Sequence, residues 1–253
     1  MLPRAVLFAF CISFSLAGLA QTLDRAAGSA LNNRDPRALN PTGHRFNLTD
    51  DGRVSITRLR EPRKAQGLYY KAMFAWKKGR PAEAQRKLDE ALKIYPSFPE
   101  ALTLYGCIHA AFDRWDLAEQ KLQAASESDP TYSPVYVVLA GVYNAQRRFD
   151  EAQREIQLGL SAGADTWHIQ YEILRLLIGK GEYEGALVTA DAALRSTPEG
   201  GMLHLAKAHA LLGLRRYPQA VAELNTFLLY EPSGDGSEQA RELLYKLQKT
   251  VPQ

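Results

Sequence analysis

Two segments decide the fold: GRPAEAQRKLDEALKIYP at residues 79–96 and GEYEGALVTADAALRSTP at residues 181–198. Each opens on Gly, sets Ala at its sixth position and closes on Pro, and their starts lie three periods of 34 residues apart. Extended outward, the same phase gives frames beginning at Ala65, Pro99, Ser133, Trp167 and Gly201, with no insertion between them. The twentieth place is then Ala84, Ala118, Ala152, Ala186 and Ala220, and the thirty-second is Pro96, Pro130, Ala164, Pro198 and Pro232. The seventeenth is Pro81, Trp115, Phe149, Tyr183 and Tyr217; the eighth is Ala72, Gly106, Ala140, Leu174 and Ala208. The twenty-fourth is Leu88, Leu122, Ile156, Ala190 and Leu224. Self-similarity at a fixed period of this size is the mark of a repeat architecture.

Each place has a physical reason. Small residues at the eighth and twentieth places let two helices approach closely, while the aromatic and the Leu or Ile fill the space between neighbouring hairpins. Proline ends the second helix because it cannot donate to the preceding turn. Gly79 and Gly181 fall at the hairpin turn, where a left-handed backbone costs glycine little. One hairpin cannot bury its apolar side alone, so the units must stack.

These places resemble the tetratricopeptide repeat over about two-thirds of the chain. The stretch VSITRLREPRKA, residues 54–65, also resembles the lead-in of exported bacterial repeat proteins of that kind. The resemblance implies an all-α fold, a right-handed superhelical solenoid of five helix-turn-helix hairpins at 65–98, 99–132, 133–166, 167–200 and 201–232. Three frames depart from the pattern. The third lacks its proline and carries Gly159, the fourth has Gln170 at an apolar place and Leu174 at a small one, and the fifth carries Phe227.

Around the repeats the reading is of three flanks. Residues 1–20 hold a lone charge at Arg4, an apolar run from Ala5, and small residues before Gln21. That is the pattern of a cleavable secretory signal peptide, and the run is short of the roughly 20 residues a spanning helix needs. Residues 21–64 form a basic arm broken by Asn-Asn, Asp-Pro, Asn-Pro and Asp-Gly, expected to be mostly disordered, with a possible short strand at 54–57. Residues 233–253 carry a Gly/Ser turn and then a helix from about Glu238 to Lys249, whose stripe of Ala240, Leu243, Leu244 and Leu247 suits a terminal cap.

Composition removes several function classes. The 253 residues carry a formal charge of +3, too little to imply nucleic-acid binding. Two cysteines, Cys11 and Cys107, build neither a disulfide framework nor a thiolate metal site. No histidine pair has the spacing of a helical zinc site, and no phosphate loop or nucleophile elbow is present, so no catalytic residue, metal or cofactor is expected. The basic residues at the hairpin turns, Arg147 and Arg148 among them, are offset by acidic neighbours and read as a solvated edge.

By resemblance, the fifth and ninth places of each first helix face the concave groove. Here they are Tyr69 and Met73, Thr103 and Cys107, Val137 and Gly141, Tyr171 and Arg175, and Leu205 and His209. They lack the Lys and Asn of repeats that clamp a C-terminal carboxylate, so the expected ligand is an apolar protein or peptide segment, with cationic potential only at Arg175 and, when protonated, His209. Tyr69, Val137 and Leu205 equally suit packing against neighbouring helices. The expectation is therefore an exported, periplasmic or secreted scaffold or adaptor without catalysis, with envelope association. The alternative is a glycan- or cell-wall-binding accessory, marked by Tyr69 and Tyr171 exposed as stacking platforms.

Overall fold

The computed structural model describes residues 62–164, 167–233 and 235–250. The expected leader at 1–20, the strand at 54–57, nearly all of the arm, and Cys11 lie outside the described residues. Among the described residues there are eleven helices and no strand: α1 Arg63–Lys77, α2 Pro81–Ile94, α3 Pro99–Ala110, α4 Trp115–Ser128, α5 Ser133–Ala145, α6 Phe149–Ser161, α7 Trp167–Lys180, α8 Tyr183–Ser196, α9 Gly201–Gly213, α10 Tyr217–Tyr230 and α11 Asp235–Thr250. They divide into two compact units, one ending at Val138 and one running from Leu139.

Within each helical pair the connection is the same. The amides of Arg80, Arg114, Arg148, Glu182 and Arg216 donate across the helix end to the carbonyls of Ala75, His109, Tyr143, Leu177 and Leu211, at 2.8–3.0 Å. That six-residue bond closes the helix end and requires a left-handed residue just before it. The residue is Gly79 (φ 67°), Asp113 (55°), Arg147 (61°), Gly181 (81°) or Arg215 (58°), one every 34 residues. Glycine thus supplies two of the five turns, and Asp and Arg are held left-handed at the other three.

The second helices stop in two ways. Pro96, Pro130, Pro198 and Pro232 follow the ends of α2, α4, α8 and α10. The end of α6, where the proline is missing, is instead closed by Gly163 at φ 87°, with the Ala164 amide donating to the Gly159 carbonyl at 2.8 Å. A glycine stop has replaced a proline stop.

Packing explains the small residues. A Cβ on Gly106 would lie 2.5 Å from Cγ of Leu122, so α3 and α4 touch where a side chain would keep them apart. In the unit from Leu139, the aromatic opening α6 lies on α7: a Cβ on Gly179 would stand 2.5 Å from the Phe149 ring. The aromatic opening α8 repeats this on α9, with Gly213 against Tyr183 at the same distance. One core gathers Ala65, Ala72, Ala84, Leu88, Phe98, Leu104 and Ile108; the other gathers Leu174, Leu203, Ala208, Leu224 and Phe227. The second core continues into α11 through Ala240, Leu243, Leu244 and Leu247, while Arg241, Glu242 and Tyr245 face outward. That helix begins three residues before the expected Glu238, with Ser237 and Glu238 in its first turn. There the Ser237 hydroxyl donates back to the Glu231 carbonyl at 2.7 Å.

Candidate functional site

The candidate residues sit four apart on the first helix of each pair, so each couple shares one helical face. In the unit ending at Val138 these are Tyr69 and Met73 on α1, Thr103 and Cys107 on α3, and Val137 on α5. All five are buried. Tyr69 and Met73 belong to the core cluster, where the Tyr69 ring centroid lies 5.5 Å from that of Phe98. Burial pushes the Cys107 thiol up to about 12, so it is a protonated apolar group at neutral pH.

In the unit from Leu139 the candidates are Tyr171 and Arg175 on α7 and Leu205 and His209 on α9. They too are buried, and Tyr171 and Leu205 belong to the core. The Arg175 guanidinium lies 5.9 Å from the Tyr171 ring centroid. Its Nη1 donates to both carboxylate oxygens of Glu172, at 2.9 and 3.1 Å. Asn144 Nδ2 donates to Glu172 Oε2 and to the Glu172 carbonyl, each at 3.0 Å. The cationic potential expected at Arg175 is therefore offset, and the protonation on which that of His209 depended is absent at neutral pH. Glu172 balances Arg175, and burial lowers His209 to about 4, leaving it uncharged at neutral pH.

Glu172 and Asn144 escaped the sequence reading. Glu172 stands three residues before Arg175, a spacing at which helical charges meet, and that was the available signal. Asn144 pairs across 28 residues and left none. The arrangement offers apolar side chains, one compensated ion pair, a protonated thiol and a neutral imidazole. Among the described residues no group of three His, Cys, Asp or Glu side chains is placed to hold a metal ion. Tyr69 and Tyr171, whose exposure would mark a glycan platform, are 7% and 8% exposed.

Antiparallel helical pairs joined by one repeated turn, with small residues at the crossings and a terminal amphipathic helix, define an all-α repeat protein of the solenoid class. Two tetratricopeptide repeat family models match, at residues 58–133 and 109–175. Residues 58–175 thus carry tetratricopeptide repeats. It is 29% identical over 121 residues to the TPR repeat-containing protein YpiA of Bacillus subtilis; the match takes in 47% of this chain and spans only 28% of that relative. The thermophilic TPR protein TTC0263 of Thermus thermophilus superposes with a TM-score of 0.64 at 18% identity, covering 72% of this chain and 98% of that one. A chain of the APC/C hetero-tetramer Cut9-Hcn1 superposes at 0.67 with 19% identity, covering 76% of this chain and 38% of that one. Proteins of the family bind other proteins or peptides and are in general non-catalytic scaffolds.

Proposed function

We propose that this protein is an exported scaffold or adaptor of the cell envelope that binds a protein partner through the first-helix residues, without catalysis. The observation that carries the reading is the chemistry of those residues within each unit: mostly apolar side chains on the first helices, with the two cationic candidates, Arg175 and His209, neutralised by Glu172 and by burial. Such a face selects an apolar segment over a charged one. All nine side chains are buried, so a substitution at one of them acts on the packing beneath the binding surface as well as on the surface itself. The leader-like run at 5–20 is what supports export.

The test is affinity capture from the cell envelope, followed by titration of the captured partner at two ionic strengths. Tyr171→Ala should weaken binding by roughly 1–3 kcal/mol, on the scale of buried aromatic anchors. Arg147→Ala, at an exposed turn, should change it by less than about 0.5 kcal/mol. The reverse order of effects would move the working surface to the turns. N-terminal sequencing of the mature protein checks export: the expected first residue is Gln21, and an intact Met1 in membranes would support an anchor instead.

A further inference from the structure

The third, sixth and tenth places of each frame share one face of a first helix. In α3 they are Ala101, Leu104 and Ile108, fully buried in the core that α1 and α2 also build. In α9 they are Leu203, Ala206 and Ala210, again buried, and the same places are buried in α5 and α7. The pair before supplies cover: α2 packs on α3, and α8 on α9.

On α1 these places are Gly67, Tyr70 and Phe74, and there the face is open. Tyr70 is 40% exposed, Phe74 is 58% exposed, and a Cβ on Gly67 would meet nothing within 4 Å. Among the described residues no helix precedes α1. A terminal repeat needs a polar outer side, yet this one sets two aromatic rings where the later first helices set core.

The chain itself holds a cover. Residues 1–61 lie outside the described residues and join α1 directly at Pro62, whose backbone is extended (φ −63°, ψ 126°). Tethered there, the segment just upstream meets the face at an effective concentration of order ~mM, ahead of any second molecule. Its alternation Val54-Ser55-Ile56-Thr57 sets two apolar side chains on one side. In an extended chain Val54 and Ile56 stand about 7 Å apart, and Tyr70 and Phe74 are about 6 Å apart along their helix. From Pro62 back to Ile56 the chain reaches up to about 20 Å, against roughly 12 Å along α1 from Pro62 to Tyr70, which leaves length for a reversal. Gly67, with no side chain, lets a backbone lie close.

We infer that residues 54–57 run back antiparallel along α1 and close its open face, with Ile56 against Tyr70 and Val54 against Phe74. The same register carries Asp51 toward Lys78, whose Nζ lies 4.4 Å from the Phe74 ring centroid.

The experiment is disulfide trapping in the full chain carrying Cys11→Ser. Val54→Cys with Phe74→Cys should close a bond within one chain on mild oxidation, read by peptide mapping. The control is Val54→Cys with Lys93→Cys, since Lys93 is exposed in the last turn of α2, at the end of the pair away from Phe74. An undocked arm reaches both partners, whereas a docked one should trap the first pair at least about tenfold faster. In urea melts Val54→Ser with Ile56→Ser should lower the midpoint of the wild type and leave that of Phe74→Ser unmoved, because both act through one contact. Far-ultraviolet circular dichroism checks that the variants stay folded. Equal trapping of the two pairs, or a midpoint that shifts alike in both backgrounds or in neither, overturns the proposal. Bonds formed between chains rather than within one assign the face to a second copy and overturn it equally.

Discussion

Arg215 and Arg147 hold a left-handed backbone that costs a side chain with a Cβ roughly 1–2 kcal/mol, and glycine little. Replacing Arg215 by Gly removes that strain but adds freedom to the unfolded chain worth about 0.5–1 kcal/mol. We predict that Arg215→Gly stabilises by about 0.5 kcal/mol, while Gly181→Ala, at φ 81°, destabilises by about 1 kcal/mol in urea melts. The sequence marked this turn where glycine occupies it; at Asp113, Arg147 and Arg215 no residue type announced it, and only the period pointed there. Cys107 belongs to the same scale. Its buried, protonated thiol should resist alkylation in the native protein and react only on unfolding, as peptide mapping at Cys107 after iodoacetamide would show.

At the level of helices, the aromatic opening the second helix of one pair and the glycine late in the next first helix form a single joint. Gly213→Ala would force a Cβ to within 2.5 Å of the Tyr183 ring and should cost about 1–3 kcal/mol. Gly185→Ala, in α8 with nothing within 4 Å of the new carbon, should instead stabilise by about 0.4–1 kcal/mol. Denaturant melts of the two variants give opposite signs if the joint is as described. The aromatic place was legible because it recurs in sequence; its glycine partner was not, since the thirteenth place is Lys77, Ala111 and Ala145 in the other frames. The stop at Gly163 was hidden for a related reason, because one chemical solution had been exchanged for another. Period carries the helices, and local chemistry adjusts their ends.

For the molecule as a whole, acid is the informative perturbation. Folded His209 takes its proton near pH 4, an unfolded imidazole near 6.5, so on acidification the unfolded chain protonates first. The stability that neutral His209 contributes is whole above pH 6.5 and is lost as pH falls toward 4, by about 3 kcal/mol in the full shift. His109, also lowered by burial and then by Arg114 and Lys121, acts with the same sign. His209→Gln should therefore flatten, without abolishing, the fall in melting stability between pH 6.5 and 4; an unchanged slope would remove His209 from the account. The apolar character of the candidate face was readable in advance from the fifth and ninth places. Its electrical neutrality was not, because that depends on Glu172 and on burial, and both arise from packing.

The recurring turn has a mechanical consequence. Each one closes its own helix end with a local bond, and the turns recur every 34 residues, so a pair of helices can leave the array without opening the turn of the next. Pulled from its two ends, the chain should lengthen in steps, each releasing roughly 115 Å of extended polypeptide per 34 residues. A chain built this way should give under load a segment at a time, and on slackening each segment should refold against the pair still standing beside it.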